Sequence, residues 1–189
     1  MKETPLVLKC PQCGEEAKII QETKDIPKYG KILISTIVCD KCNFRITDVM
    51  NIDMKPPARY TIKIESSNDL SSKIIRSSTG TIKIPELGLD VEPGAIADGY
   101  ITNIEGMLER FKAAVKVMQD TKEQENKEIV NEIMNEIELA QKGELVFTVI
   151  IEDPLGNSAI LGEKALKELL NEEEVNKLKQ HLNIFEIKK

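Results

Sequence analysis

Four residues in this chain have the type and spacing to do chemistry together. Cys10-Pro11-Gln12-Cys13-Gly14 opens one Cys-x-x-Cys pair, and Cys39-Asp40-Lys41-Cys42-Asn43 closes another, with twenty-five residues between them. They are the only cysteines in the sequence. A two-residue spacer lets both sulfurs of a tight turn face one ion, and a second such turn completes a tetrahedron. Four thiolates suit a soft, redox-inert metal, so the expected ion is Zn²⁺, with iron as the minor alternative. Gly14 and Asn43 follow the second cysteine of each pair, where the chain must turn through positive φ, which Gly and Asn tolerate best. A site with four protein ligands has no open position for water or substrate, so this metal is expected to hold a fold rather than carry a reaction.

The competing reading of the cysteines is a pair of disulfides. Met1-Lys2-Glu3-Thr4-Pro5 has no basic region leading into an apolar one, so no export signal is read there. Thiols in a cytoplasmic setting stay reduced, which favours metal over disulfides. Other chemistries lack their groups. The one histidine is His181, and every cysteine is already committed, which leaves no Ser-His-Asp or Cys-His set legible in sequence. Gly30-Lys31 is followed by Ile32 and is no phosphate-binding loop. Glu152-Asp153 has no adjoining His or third carboxylate and reads as part of a turn. No enzyme is expected.

Charge narrows the partners. There are 26 basic and 32 acidic residues, a net charge of −6, and residues 1–58 hold nine Lys/Arg against eight Asp/Glu. A nucleic-acid-reading ribbon needs a basic stripe, and none is present, so bulk charge disfavours nucleic acid and anionic membranes. No apolar run approaches the roughly 20 residues of a membrane span. The expectation is a soluble, cytoplasmic protein.

The cysteines must be positioned by a small β unit. Residues 1–55 form a zinc ribbon, with strands at Ala17–Gln21, Lys31–Val38, Phe44–Thr47 and Val49–Asp53. It is too small for a full core, so metal substitutes for burial. Thr23–Gly30 reads as a loop with an apolar-aromatic tip. Asp25, Ile26, Pro27, Lys28 and Tyr29 are candidates for binding a partner; the alternative is that Ile26 and Tyr29 pack on the ribbon's own sheet or on the next domain. Pro56-Pro57 marks a boundary. Residues 56–189 form a second domain, with short strands at Arg59–Glu65, Lys73–Ser77, Thr81–Ile84 and Leu87–Val91 that suggest a sandwich, jelly roll or related barrel.

The period then changes. Thr102-Asn103-Ile104-Glu105 fits a capping box with Thr102 at the N-cap, followed by a stripe of Ile104, Met107, Leu108, Phe111, Val115 and Met118. Thr121-Lys122-Glu123-Gln124 repeats the signature before Ile129, Ile133, Met134, Ile137 and Ala140, and Gly143 stops that helix. The result is a helical hairpin over about 103–142, with Met118 and Met134 read as packing residues. Strands return at Leu145–Ile151 and Ala159–Leu161. A helical tail over about 163–182 is read as two helices, Glu163–Leu170 and Glu172–Leu182, with Asn171 and Glu174 as the cap between them. Ile184-Phe185-Glu186-Ile187 reads as a last edge strand. The fold class is thus mainly β with α: a four-cysteine zinc ribbon, then a jelly-roll or double-stranded β-helix-like domain with an inserted helical hairpin.

These residues resemble the ZPR-type zinc-finger family. The resemblance rests on the cysteine interval, Thr23-Lys24-Asp25-Ile26-Pro27, Ile84-Pro85-Glu86-Leu87, Gly99-Tyr100-Ile101-Thr102-Asn103-Ile104-Glu105-Gly106 and Glu152-Asp153-Pro154-Leu155-Gly156-Asn157-Ser158. It implies a four-cysteine finger followed by a family-specific β domain with a helical hairpin. Eukaryotic members carry two such modules, so this chain resembles the single-module archaeal form. The family is associated with translation elongation factor one-alpha and with helping that GTPase fold. The resemblance therefore implies a zinc-binding, chaperone-like partner of the factor. Where members usually carry an aromatic pair after the Ile-Pro, this chain has Lys28-Tyr29. The alternative function is a nucleic-acid-binding ribbon protein of transcription or translation, with Lys9, Lys18, Lys41 and Arg45 around the knuckles; an enzyme built on the β domain is third. Replacing Cys39 with Ser is expected to unfold the ribbon and leave the β domain standing.

Overall fold

The structure is a computed structural model that describes residues 6–94, 96–121, 127–180 and 182. The N-terminal segment is a four-stranded antiparallel meander, β1 (Leu6–Lys9), β2 (Glu16–Ile26), β3 (Gly30–Val38) and β4 (Arg45–Asn51), in spatial order 1-2-3-4. β1 was not expected. β2 is longer than its sequence suggested and stays in register with β3 as far as Ile26 opposite Gly30. The expected Thr23–Gly30 loop is therefore a hairpin end in which only Pro27, Lys28 and Tyr29 turn. The two pieces expected after the second knuckle are one strand, because β4 pairs with β3 without a break from Arg45 to Asn51.

Beyond Pro56-Pro57 lie two further antiparallel sheets. The first has the order β12-β5-β10-β7-β8, with β5 (Ala58–Ile64), β7 (Thr81–Ile84), β8 (Leu89–Val91), β10 (Phe147–Asp153) and β12 (Leu166–Leu169). The second has the order β11-β6-β9, with β6 (Lys73–Arg76), β9 (Tyr100–Asn103) and β11 (Ala159–Leu161). Alternation builds the core: Ile62 and Ile64 of β5 stand opposite Val149 and Phe147 of β10, and Ile82 of β7 stands opposite Ile151. All six are essentially without solvent contact and join Ile74 and Ile160 of the smaller sheet in one cluster. This is the expected jelly-roll domain.

Between β9 and β10 come two helices, α1 (Ile104–Thr121) and α2 (Lys127–Lys142). Ile104, Met107, Leu108, Phe111 and Val115 of α1, with Val130, Ile137 and Ala140 of α2, close one side of the core. The α1 cap sits one residue later than expected. Thr102 is held in β9 opposite Ile74, and it is Asn103 whose Oδ1 accepts the Gly106 N–H at 2.8 Å. Gly143 ends α2 as expected, at φ 74°, its N–H donating to Ala140 O. The signature read at Thr121–Gln124, the Ile184–Ile187 strand and His181 lie outside the described residues or run into them.

The tail departs from expectation in one element. The helix expected over Glu163–Leu170 is replaced by β12, which pairs with β5 from Leu166–Thr61 to Leu169–Ala58. Leu166 and Leu169 are both 66% exposed, so no apolar stripe is buried there. Backbone pairing to an open sheet edge decides the conformation instead. α3 (Glu172–Gln180) comes next with the expected cap: Glu174 N–H donates to Asn171 Oδ1, and Asn171 N–H to Glu174 Oε2. Among the described residues no helix is long and apolar enough to cross a membrane.

Candidate metal centre

Each cysteine pair is presented by a knuckle whose backbone closes on itself. In the first, Cys10 N–H donates to Glu15 O at 2.7 Å and Gly14 N–H to Cys10 O at 2.8 Å; in the second, Cys39 N–H donates to Phe44 O at 2.9 Å. Gly14 (φ 76°) and Asn43 (φ 58°) take the left-handed positions their types suggested. β3 delivers Cys39 at its end, and β1 and β2 flank the first knuckle, so the two pairs meet.

The four sulfurs lie within 4.8 Å of one another. Cys10 Sγ is 3.6 Å from Cys42 Sγ, and Cys13 Sγ is 3.7 Å from Cys39 Sγ. Sulfurs placed about 2.3 Å from a shared tetrahedral ion would stand about 3.8 Å apart, while a disulfide needs about 2.05 Å. The donor set therefore fits one structural zinc ion, held by Cys10, Cys13, Cys39 and Cys42, and it does not fit disulfides. Burial pushes the Cys42 thiol up to about 12. At Cys10 burial also acts upward, but the N–H groups of Cys13 and Gln12, together with the Cys42 and Cys13 thiols, outweigh it and bring the thiol down to about 7. A divalent cation at the centre favours the thiolate at every position. Around the site, among the described residues, only Ala17 and Phe44 join Cys10 and Cys39 as buried apolar residues, with Leu8, Ile37 and Ile46 packed alongside. So small a cluster explains why a metal is needed there.

The other end of the ribbon is built differently. Tyr29 is 3% exposed and shares the main core with Ile32 and Val49. Its hydroxyl donates to Asn157 O at 2.8 Å, and burial raises its pKa. Lys55 lies 3.6 Å from the Tyr29 ring centroid and donates to Tyr29 O. Of the other candidate partner residues, Asp25 and Lys28 are exposed, while Ile26 is half-buried against the core. The five are thus contiguous in sequence but split between interior and surface.

The outer edge of β4 is also occupied. Thr47 N–H donates to Asp98 Oδ1, Gly99 N–H to Thr47 O, and Asn51 N–H to Asn157 Oδ1. Asp48 accepts from the Ser78 N–H and hydroxyl. Two of the motif glycines make this approach possible: a Cβ on Gly99 would stand 2.7 Å from Val49 N, and one on Gly156 2.2 Å from Lys55 O. The Glu152–Ser158 segment is a staple. Asp153, fully buried, accepts from the hydroxyls of Ser77, Ser158 and Thr79 and from Leu155 N–H. Glu152 accepts from Arg59 and Lys83, which outweigh burial and hold its carboxyl below the ordinary range. Glu152 and Asp153 are not in the turn as expected but are the last two residues of β10, opposite Arg59 and Ala58, and the turn begins at Pro154. Sequence reasoning missed the roles of Asp48, Asn51 and Asp98, for nothing local signals a partner that lies between 30 and 106 residues away.

A four-cysteine ribbon locked edge-on to a jelly roll with an inserted helical pair defines a class of zinc-finger protein. The family model described as the ZPR1 zinc-finger domain matches residues 5–53, and the one described as the ZPR1 jelly-roll domain matches residues 68–183. The chain is similar to a ZPR1-like protein of Methanocaldococcus jannaschii, 40% identical over 95% of this chain and 92% of that one. A ZPR1-like protein of Pyrococcus horikoshii is 42% identical over 89% of this chain and 78% of its own length. Further off, the zinc finger chaperone zpr1 of Schizosaccharomyces pombe is 33% identical over 79% of this chain but only 34% of its own. This chain belongs to the ZPR1 family.

Proposed function

We propose that this protein is a cytoplasmic, non-enzymatic, chaperone-like factor whose client is translation elongation factor one-alpha. The observation that carries the reading is membership of a family in which the fission yeast relative is named a zinc finger chaperone. The geometry is compatible with it. The metal site is closed by four protein ligands, so its contribution is a rigid ribbon rather than an activated water. The ribbon in turn is fixed against the jelly roll, which gives a client one preorganised surface. A nucleic-acid role draws less support, since Lys18 beside the knuckle is bonded to Asp40 at 2.6 Å rather than held free for phosphate.

The test is capture from native lysate by the tagged, zinc-loaded protein, after nuclease treatment, with GDP or a non-hydrolysable GTP analogue. Recovery of the elongation factor, together with a higher yield of active factor when it refolds in the presence of this protein, is the expected result. Failure to recover the factor in either nucleotide state would remove the reading.

A further inference from the structure

The tip of the β2–β3 hairpin faces the three-stranded sheet. It leaves two adjoining clefts of about 620 and 390 Å³ that share Ser71, Lys73 and Leu161. Pro27 and Lys28 line the larger cleft, and Ile26 the smaller. Register explains the floor. Lys73 stands between Leu161 and Asn103, and Ile75 stands between Ala159 and Ile101, all on one face of the sheet. Each row crosses three strands, about 10 Å, the length of some three extended residues.

The smaller cleft offers the apolar surfaces of Ile101 and Leu161, Ile75 itself being fully buried, while the larger cleft, which shares Leu161, carries three lysines against two carboxylates. One of those carboxylates, Asp69, is already bonded to Lys164 at 3.0 Å. Lys28 and Lys73 are exposed and form no ion pair or hydrogen bond among the described residues. In a chain of net charge −6, two unpaired cations beside an apolar surface are a local reversal of sign. Lys28 is also held at φ 67°, a left-handed conformation that strains a side-chain-bearing residue and costs a glycine almost nothing. The turn therefore does not itself call for a lysine.

We propose that this cleft binds an extended peptide segment in which acidic residues alternate with apolar ones, and that it is where the protein grips its client. The second half of this rests on the chaperone-like reading above. Apolar surface at Leu161 and Ile101 adjoining the cations suits a side chain next to a carboxylate and offers nothing to a sugar-phosphate backbone.

Fluorescence anisotropy on the intact, zinc-loaded protein tests it with three labelled probes: an octapeptide alternating aspartate and valine, its counterpart with lysine for aspartate, and octauridylate. The acidic peptide should bind, and its affinity should fall about tenfold or more in Lys73→Glu and in Lys28→Gly. Lys28→Gly should melt no lower than the wild type, which separates lost binding from lost folding. No binding of the acidic peptide, equal binding of the lysine peptide or of the RNA, or affinity unchanged in both variants would overturn the proposal. Lysate capture with the same variants separates the two readings. Undiminished capture by both variants overturns the assignment of this cleft as the grip, whereas no capture even by the wild type refutes the client, and the peptide result then decides the cleft by itself.

Discussion

Tyr29 joins the ribbon to the jelly roll in a single residue. Its ring fills the core and its hydroxyl meets a carbonyl 128 residues away. Tyr29→Phe removes one buried hydrogen bond and should cost about 1 kcal/mol, whereas Tyr29→Ala also opens a cavity and should cost about 3–5 kcal/mol. Urea unfolding of zinc-loaded protein distinguishes the two. Asp69 offers a second check. The N–H of Glu65 and the Lys164 ammonium bring its carboxyl from 3.8 to about 2, against an opposing effect of burial. A carboxylate lowered on folding stabilises fully above its unfolded value, and that contribution is lost as pH falls through the folded one. Stability should therefore decline between about pH 4 and 2, and Asp69→Asn should flatten that limb. Denaturant midpoints at stepped pH values measure it.

At the scale of elements, the shifted cap of α1 is directly testable. Asn103→Ala should cost about 1 kcal/mol through the exposed Gly106 N–H, and Thr102→Ala should not reproduce that loss by capping. Thermal melts of the two variants decide between the positions. How far the sequence is legible here depends on the range of the forces involved. The knuckles, the helical stripes, Gly143 and the Asn171–Glu174 box were legible because each is specified within a few residues. The helix read over Glu163–Leu170 failed because Leu166 and Leu169 face solvent, and the conformation is set by the open edge of β5. The Thr23–Gly30 loop failed for a related reason: β2 is polar and exposed along most of its length, so only its pairing with β3 marks it as strand. At the site, four cysteines announced themselves by spacing, while the residues that lock the ribbon in place became visible only with the fold.

For the whole molecule, the shared core alters what metal loss should do. With Tyr29, Ile32 and Val49 packed among jelly-roll residues, the β domain is not expected to ignore the ribbon's collapse. Chelation, or Cys39→Ser, should speed hydrogen exchange first in β3 and β4 and then, by a smaller factor, in β5 and β10. Unchanged exchange in β5 and β10 would mean that the two parts fold independently.

The distance between the metal centre and Tyr29 also sets an order of events during synthesis. β3 is 9 residues long, about 30 Å, with Cys39 following one end and Tyr29 preceding the other. All four thiols have been made once Cys42 leaves the ribosome, so the ion can be captured early. The acceptor for the Tyr29 hydroxyl is Asn157, which arrives more than a hundred residues later. Until then the nascent chain holds a metal-pinned hairpin whose aromatic tip lacks that partner, and the arrival of the segment around Asn157 is what completes its shelter.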